Sequence, residues 1–550
     1  MKYGVTSATV PLREVAVLAS VGILAYAATR TLQAVYSAPP NMPEPAVPHN
    51  PEDSMLWSMI KRVLYRHFYV VRKGDPLKTL QRWCSEFEYK PFVMKIFFRP
   101  HVVLSSAVDI EHVLLRADTK FYKGTGYDIV RIVVGRVGLV AIGNKEEHAV
   151  HRRLLMPIFR SKNVRGLANE TVRMQALRMM GGLFEAIQRG GHQNAVVNLS
   201  DHIFRMALAT IGEAAFRASR NESLLMRRHF DEVMKMSRMN YFCPYLKSSA
   251  QIKARNTLKE MSSQLLDKNM KMNQIGTRRC VMDALIDELY VHFSMEDVLD
   301  HVVTFLFAGH DTTSHTVAFL FALLGTHLEV QDRLYEALED LMPSICTCPT
   351  VEELMECDYL VAVVNEALRM YPAAPIIYRD AAEDVYLPGS GVVIPKGMTV
   401  VITLFSLQRN KHVYGDDADV FRPERWIGEE GQALRKRCGR CGYIPFSCGK
   451  RSCIGQEFGF LEVLIVTALL GRHLKMQLLG NFPEARYNIT VAMSHPVSMR
   501  IAARGGVSVS HVYERIASVL DLNDNNGDAS DSVTRAGAGD ARCKEAAVCG

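Results

Sequence analysis

One short segment near the carboxyl end of the chain limits what the chain can fold into, because it predicts a turn built around a single sulfur atom. The string Phe-Ser-Cys-Gly-Lys-Arg-Ser-Cys-Ile-Gly begins at Phe446 and carries Cys453 as its eighth residue. Gly449 and Gly455 allow a close backbone approach or a positive φ, and Arg451 places a permanent charge near the sulfur. With Phe446 as an apolar cover, such a loop stabilises a thiolate that could bind a metal.

Two other interpretations of Cys453 are open at this stage. It could be a buried cysteine in a glycine-rich turn, or one ligand of a zinc or iron–sulfur site formed with Cys438, Cys441 and Cys448. Cys438 and Cys441 have the C-x-x-C spacing that is typical of metal sites. The second pair lacks this spacing, and a four-cysteine site gives no role to the phenylalanine, glycines and arginine of the segment.

The segment fits the pattern F-x-x-G-x-R-x-C-x-G at every fixed position, and in this it resembles the cytochrome P-450 superfamily, the haem-thiolate monooxygenases. The resemblance implies that Cys453 is the axial ligand of the iron in haem b (iron protoporphyrin IX), where a thiolate favours cleavage of the O–O bond. It also implies that backbone N–H groups and Arg451 around the sulfur tune the metal.

A second signature lies upstream, where Phe305, Ala308, Gly309 and Thr312 occupy one face of a helix at i, i+3, i+4 and i+7. Small residues on this face leave room for a flat macrocycle, so Ala308 and Gly309 are expected to contact the haem. A glycine followed by threonines weakens the helical hydrogen-bond ladder. We therefore expect a local defect that frees a hydroxyl and a carbonyl.

The resemblance gives this helix its chemistry. It implies that Thr312 hydrogen-bonds the oxygen being reduced while Asp311 relays protons from solvent, which is the work of a general acid. His301 and Phe305 continue the same stripe and are candidates to line a substrate pocket. For His301, a role as a buried core histidine is the favoured interpretation.

Further basic residues match the positions at which the family binds the haem propionates. Arg152 matches an arginine of the third helix, and His148 stands where the family has a tryptophan, although histidine can also donate to a carboxylate. Arg379 matches the arginine for the second propionate, and Arg451 is a further propionate or thiolate partner. Judged from the residues alone, Arg152 and His148 also fit a solvated helix face.

The string Glu366-Ala-Leu-Arg369 is by itself a commonplace helical charge pair. Arg425 follows in Phe-Arg-Pro-Glu-Arg-Trp, in the order and spacing of the family. The resemblance implies that the three residues form a buried cluster with bidentate arginine geometry. Its role is predicted to be structural, because it would hold the cysteine segment in place.

Basic residues gather around the cysteine segment, namely Arg435, Lys436, Arg437, Arg440, Lys450 and Arg451. They fit a solvated face, or a docking surface for the acidic flavodomain of a reductase. The chain has no dinucleotide-binding fingerprint. Electrons from NADPH are therefore expected through a separate NADPH-cytochrome reductase, with cytochrome b5 as an additional partner.

The amino-terminal region predicts a membrane anchor over residues 1–37. The uncharged run Val15–Thr29 spans roughly 22 Å as a helix, and its flanks supply the missing length. Residues 38–54 are rich in proline and predict a stiff hinge. Microsomal members of the resembled family carry a similar anchor and hinge, so the resemblance implies the endoplasmic reticulum membrane with the catalytic domain in the cytosol. A cleaved signal peptide and a mitochondrial presequence, hence a mitochondrial location, are the alternatives.

Residues 55–515 are predicted to form one haem-thiolate catalytic domain, followed by a disordered tail over 516–550 that is poor in large apolar residues. Helical periodicity covers 166–190, 202–218, 223–240, 250–270 and 296–325, while 91–104 and 385–394 predict hairpins. The fold class is thus mainly α, the cytochrome P-450 fold, with a small β-rich subdomain. The net charge of +7 on 550 residues indicates no nucleic-acid partner.

The reaction implied by the resemblance is insertion of one oxygen atom from O2 into a C–H bond of a lipophilic substrate. The strings around Asp311 and Arg425 look most like the branch of the family that oxidises fatty acids and other lipids, and a sterol is the other candidate. Two further functions are open: a haem-thiolate isomerase or dehydratase acting on a lipid peroxide, and a non-catalytic haem sensor. Neither would need the pair formed by Asp311 and Thr312.

Overall fold

The computed structural model describes most of the chain between residues 76 and 505. The described residues are 42–44, 76–96, 99–191, 194–235, 249–272, 280–344, 349–505, 514 and 516. The predicted anchor over 1–37 lies outside them. Among the helices that the structure describes, none combines the length and the hydrophobicity that a membrane crossing requires.

The fold is mainly α-helical, as predicted. The α-helices of the described residues, labelled α1 to α18 in chain order, are Pro76–Glu86, Ala107–Glu111, Asp128–Val134, Lys145–Leu155, Ser161–Leu167, Arg173–Arg189, Leu199–Phe216, Arg220–Lys235, Ser249–Met272, Val281–Asp287, Met295–Thr326, Leu328–Ala337, Val351–Glu356, Asp358–Met370, Leu404–Leu407, Lys411–Tyr414, Gly428–Cys438 and Gln456–His473. Four of the segments with helical periodicity correspond to α7, α8, α9 and α11. The segment predicted over 166–190 is divided by a π-helical turn at Ala168–Val172.

The longest helix, α11, runs through the centre of the molecule and is buried along most of its length. It begins after Ser294, whose hydroxyl accepts a hydrogen bond from the Asp297 backbone N–H while the Asp297 carboxylate accepts one from the Ser294 N–H. This capping box fixes the start of the helix. Helices α7 and α18 pack against α11, so its middle section is held from two sides.

The strands are short and form a minor part of the fold. In chain order β1 to β12 are Phe92–Ile96, Arg99–Leu104, Phe121–Tyr122, Ala195–Asn198, Ile376–Ala381, Val385–Leu387, Val392–Ile394, Thr399–Thr403, Leu474–Leu478, Ala485–Asn488, Thr490–Met493 and Ser498–Ala503. The largest sheet has the order β1-β2-β8-β5-β3, with β2 and β8 parallel and the other pairs antiparallel. Both predicted hairpins are present, as β1–β2 and β6–β7.

Two short described stretches near predicted boundaries contact the folded domain. Within the predicted hinge, Met42 is buried in the apolar cluster of the largest sheet, the Pro43 carbonyl accepts a hydrogen bond from Val93, and Glu44 pairs with Lys95 at 2.9 Å. These three residues contact the domain, and the hinge over 38–54 stays a prediction because its other residues lie outside the described ones.

At the other end, Ile516 stands at the predicted start of the disordered tail. It is only 3% exposed, and its side chain lies close to Gly181 in α6. Burial of a large apolar side chain stabilises its position in the fold. Ile516 therefore contacts the folded domain, while residues 517–550 lie outside the described part of the chain and the boundary of the tail stays a prediction.

Candidate active site

A cavity of about 310 Å³ lies between the middle of α11 and the segment that precedes α18. Its wall includes residues that the sequence singled out in four separate segments, namely His148, Arg152, Phe305, Ala308, Gly309, Thr312, Arg379, Phe446, Arg451, Cys453 and Gly455. Most of the remaining wall is aliphatic or aromatic, so the cavity suits a flat apolar group with polar contacts at one edge.

Cys453 is exposed, and it lines this cavity together with residues of α11. The Cys453 backbone N–H donates to the Phe446 carbonyl at 2.9 Å, which fixes the turn. Burial raises the pKa of the Cys453 thiol, while the Gly455 N–H and the charge of Arg152 act in the opposite direction by less. Among the described residues no group of three metal-ligating side chains converges, so the alternative four-cysteine site is not formed.

The backbone conformation and the space for a side chain differ between Gly449 and Gly455 of the cysteine segment. Gly449 has φ of 76°, and a Cβ there would lie 2.5 Å from the Leu114 carbonyl oxygen. Gly455 has φ of −93°, and the nearest atom to a Cβ there, in Phe159, is 3.7 Å away. The protein itself requires glycine only at the first position. At Gly455 the missing side chain keeps the cavity wall open.

Four cationic side chains meet at one edge of the cavity: Lys123, Arg152, Arg379 and Arg451. They donate hydrogen bonds to backbone carbonyls, namely those of Val140, Ser452, Tyr378 and Ile142 in that order. No carboxylate among the described residues forms an ion pair with any of them. The group therefore suits an anionic ligand.

The pKa shifts of the cationic groups at this edge of the cavity also indicate a site that suits an anion. Burial, followed by the charges of Arg379 and Arg451, lowers the pKa of Lys123 well below its usual range. Burial and Arg379 lower the pKa of Arg451 to about 10. A bound anion would relieve this repulsion. The donor set thus fits two propionate groups, and Cys453 on the same cavity wall would be the residue that holds the haem iron.

His148 is a weaker match to its predicted role. It lines the cavity, but burial, followed by Arg451 and Lys123, lowers its pKa to about 2. The ring is therefore neutral at physiological pH, and it can contribute a hydrogen bond but no charge.

The predicted defect in α11 is absent. The helix is continuous over Met295–Thr326, and the Thr312 hydroxyl donates to the Ala308 carbonyl at 2.7 Å. Such an i to i−4 bond satisfies the hydroxyl without opening the ladder. The oxygen of Thr312 still lines the cavity, where it can accept or exchange a hydrogen bond.

Gly309 packs closely against a neighbouring helix, and this contact could not be inferred from the sequence. A Cβ at this position would lie 2.5 Å from Cγ1 of Ile211 on α7. Real Cβ atoms do not approach other carbons this closely, so glycine permits the crossing of α7 and α11 as well as lining the cavity. The expectation that Gly309 serves only the macrocycle was incomplete.

Asp311 lies on α11 but not on the cavity wall. One oxygen of its carboxylate accepts a 2.5 Å hydrogen bond from the Thr490 hydroxyl, and the other is 3.7 Å from Nδ1 of His315. Thr490 itself lines the cavity beside Ile489, which has a positive φ of 70° at the tip of the β10–β11 hairpin. Sequence reasoning missed Thr490, because no local pattern distinguishes it.

The two candidate pocket residues differ in position, because one lines the cavity and the other does not. Phe305 lines the cavity and stacks on Phe159, with ring centroids 5.6 Å apart. His301 is fully buried away from the cavity wall, where its Nε2 lies 2.9 Å from Nδ1 of His151 and its ring contacts Phe293. His301 is a core histidine, and its candidacy as a pocket residue was wrong.

The structure brings the three charged residues of the predicted cluster together. Arg369 binds both oxygens of Glu366 at 2.8 Å, and Arg425 Nε binds one of them at 2.9 Å. Trp426 donates its indole N–H to the same carboxylate at 2.9 Å, and Asp417 accepts from Arg425. The last two partners were not foreseen. All three core members are at most 1% exposed, so the carboxylate is fully enclosed by donors.

Comparison with known proteins gives an independent result. The family model for cytochrome P450 matches residues 61–498, which include the long helix and the cysteine segment. Pentalenene oxygenase of Streptomyces avermitilis is 28% identical over 65% of this chain and 78% of its own length. Cytochrome P450 4c21 of Blattella germanica is 26% identical over 80% of this chain and 90% of its own. Cytochrome P450 4V2 of Homo sapiens is 35% identical over 36% and 37%.

Proposed function

This chain belongs to the cytochrome P450 family and is a haem monooxygenase, and from that premise we propose that it inserts one oxygen atom from O2 into a C–H bond of a sterol or a fatty acid. The observation that carries the proposal is the cavity itself. Cys453 and Thr312 both line it, cations border one edge, and the remaining wall is mostly apolar. Such a wall favours a lipophilic substrate, because apolar surface leaves water on binding.

The residues of the chain divide the binding of haem b between them. Cys453 is assigned as the thiolate ligand, and Lys123, Arg152, Arg379 and Arg451 as the donors to the propionates. Haem held in this way supplies the binding and activation of O2. The Glu366 cluster acts at a distance, since it fixes the chain that leads into the cysteine segment.

Proton delivery is assigned to α11. The Thr312 hydroxyl lies on the cavity wall, and its bond to Ala308 orients it. Asp311 is the adjacent residue, and it is buried at the back of the cavity wall where Thr490 holds its carboxylate. We assign Asp311 to pass protons from solvent and Thr312 to hold the hydrogen bond to the reacting oxygen.

Electrons are proposed to come from NADPH through a membrane-bound reductase, with both proteins at the endoplasmic reticulum. Five of the six basic residues near the cysteine segment are exposed, whereas Arg451 points inward to the cavity. Lys450 already pairs with Asp118 at 3.0 Å, and Arg440 lies 3.8 Å from Glu111. The unpaired charge of the docking surface therefore rests mainly on Arg435, Lys436 and Arg437.

The first test is the difference spectrum of the dithionite-reduced, carbon monoxide-bound protein for wild type and Cys453→Ser. We expect a strongly red-shifted Soret band in wild type that is lost in the mutant, as thiolate ligation requires. A band that is indifferent to the mutation would overturn the assignment of Cys453.

The second test supplies NADPH and a reductase together with fatty acids or sterols. Asp311→Asn and Thr312→Ala are expected to consume NADPH with little product. Rearrangement of a lipid hydroperoxide without NADPH, and unaffected by both mutations, would favour the isomerase alternative instead. Haem binding without turnover of either kind would favour the sensor.

A further inference from the structure

Two cysteines near the axial position are close enough to react with each other. The Sγ atoms of Cys441 and Cys448 lie 3.3 Å apart. A disulfide bond is about 2.04 Å long, so the sulfurs need to approach by only about 1.3 Å. Neither side chain lines the cavity, and the pair is thus distinct from the sulfur of Cys453.

The two cysteines of the pair differ in their exposure to solvent. Cys441 is 1% exposed and follows the end of α17, where the next residue, Gly442, donates to the Cys438 carbonyl and accepts from Tyr414. Cys448 is only partly buried and stands between two residues with positive φ, Ser447 and Gly449. Cys448 is accordingly the more accessible of the two thiols and the one that a small oxidant reaches first.

The pKa values of the two thiols also shift in opposite directions, which favours a reaction at one of them. The hydrogen bond from Cys441 lowers the pKa of Cys448, and the charges of Arg379 and Arg440 assist. The same bond, with burial, raises the pKa of Cys441. Cys448 therefore has the greater thiolate character, and the thiolate is the reactive form.

We propose that Cys441 and Cys448 form a redox-active dithiol that hydrogen peroxide converts to an intramolecular disulfide. The Cys448 thiolate attacks the O–O bond, which gives a sulfenic acid and, after proton uptake, one water. The Cys441 thiol then attacks the sulfenic sulfur, the S–S bond forms, and a second water leaves. The two thiols lose two electrons and two protons, and the peroxide is reduced to two molecules of water.

The bridge would act on the segment that carries the axial ligand. It closes a ring over residues 441–448, which contains Phe446, and the Phe446 carbonyl is the acceptor for the Cys453 N–H. A ring closed across this loop restricts the motions that open that hydrogen bond. Oxidation is therefore coupled to retention of the haem.

The chain offers a direct test, because cleavage after Arg440 and Lys450 releases a peptide of residues 441–450 that holds both cysteines and no others. The full-length holoprotein is treated with hydrogen peroxide, alkylated and digested. The mass of the peptide over residues 441–450 is then measured by mass spectrometry. We expect the peptide to become lighter by two hydrogen atoms and resistant to alkylation, and dithiothreitol to reverse both changes. Cys448→Ser should abolish the shift, whereas Cys438→Ser, which alters a nearby cysteine outside the pair, should not.

A peptide that stays fully alkylated, or one that gains oxygen without bridging, would overturn the proposal. A bridge to Cys438 would do the same, because it joins two separate peptides. This readout depends on thiols alone, so its failure is distinguishable from failure of the proposed function. The coupling has its own readout: oxidised wild type should keep its Soret band to a higher denaturant concentration than reduced wild type, with no difference in Cys448→Ser. Equal midpoints in wild type would overturn the coupling.

Discussion

Thr490 and Asp311 are 179 residues apart in the sequence and share a 2.5 Å hydrogen bond, which ties the tip of the β10–β11 hairpin to the long helix. A hydrogen bond to a charged group contributes about 1.5–3 kcal/mol, and here it orients the carboxylate assigned to proton delivery. The relationship makes Thr490 a positioning residue for Asp311.

Thr490→Ala should lower the product formed per NADPH by about tenfold, because the carboxylate loses its orienting donor. Thr490→Ser keeps the hydroxyl and should stay close to wild type. The measurement is product against NADPH consumed, repeated across pH, since altered proton delivery changes the pH profile as well as the rate. Identical coupling and pH profile in Thr490→Ala would remove the role.

Glu366→Gln should destabilise the fold by about 3–5 kcal/mol, because Arg369 and Arg425 would remain buried without a counter-charge. Glu185→Gln is the matched control, since Glu185 pairs with Arg189 on an exposed helix face and should cost less than about 0.5 kcal/mol. Denaturant unfolding of both variants measures the difference. Equal losses would contradict the buried cluster.

The same residue also predicts acid sensitivity. Burial alone would raise the pKa of Glu366, but the charge and hydrogen bonds of Arg369, with Arg425, outweigh it and hold the pKa below 4.5. A carboxyl with a depressed folded pKa contributes stability that is present above its unfolded pKa and is lost as the pH falls toward the folded one. In Glu366→Gln the decline of stability below pH 4.5 should be smaller than in wild type.

Glu462 predicts the opposite pH dependence. Burial raises its pKa from 4.5 to about 8, and the hydroxyls of Thr313 and Thr210 offset this only in part, since neither carboxylate oxygen has a well-formed hydrogen bond. Between these values the unfolded chain releases a proton that the folded chain keeps, so stability falls as the pH rises. Glu462→Gln should remove this fall and exceed wild type by about 4 kcal/mol at pH 8. Parallel stability curves for the two proteins would exclude a neutral Glu462.

Gly309→Ala should destabilise the protein by about 1–3 kcal/mol, because the new methyl group meets Ile211. Ile211→Ala opens the space it needs, so the double variant should be less destabilised than the sum of the two single variants. Thermal unfolding of all four proteins measures the coupling. Simple additivity would show that the two helices separate to accept the methyl group.

Lys436→Glu should weaken the interaction with the reductase and raise the apparent KM for the reductase about threefold. Charges at the edge of a protein interface mainly change the rate at which the two proteins associate. The dependence of KM on salt should fall as well. Lys475→Glu, at an exposed position on β9 outside the basic segment, is the control. An equal change in both variants would point to net charge alone, with no role for this surface.

Some parts of the site could be predicted from the sequence. In these parts a single short segment contains the reactive side chain and also determines the local backbone structure around it. Cys453 and Thr312 lie where expected, because a turn and a helix face are local structures. The salt-bridged cluster also followed, although its enclosing partners Trp426 and Asp417 did not.

The parts that escaped prediction depend on segments that meet only after folding. Lys123 lies in a stretch without a clear pattern, and it joins the candidate site because four arginines from separate segments act on it, namely Arg379, Arg451, Arg131 and Arg152. The reason for Gly309 lies on another helix, at Ile211. His301 shares a helical stripe with Phe305, but packing against His151 draws it into the core. No period in the sequence encodes which helix will cross which.

The bond between Arg152 and the Ser452 carbonyl, 300 residues away in the chain, bears on biosynthesis. A ribosome adds about 5–20 residues per second, so the arginine emerges at least fifteen seconds before its partner. During that interval the nascent chain exposes part of its future cavity lining, with Lys123 and Arg152 as two of the five residues assigned to the haem. Cofactor capture must therefore wait until translation is nearly complete, and a chaperone that shields apolar surface would raise the yield of holoprotein.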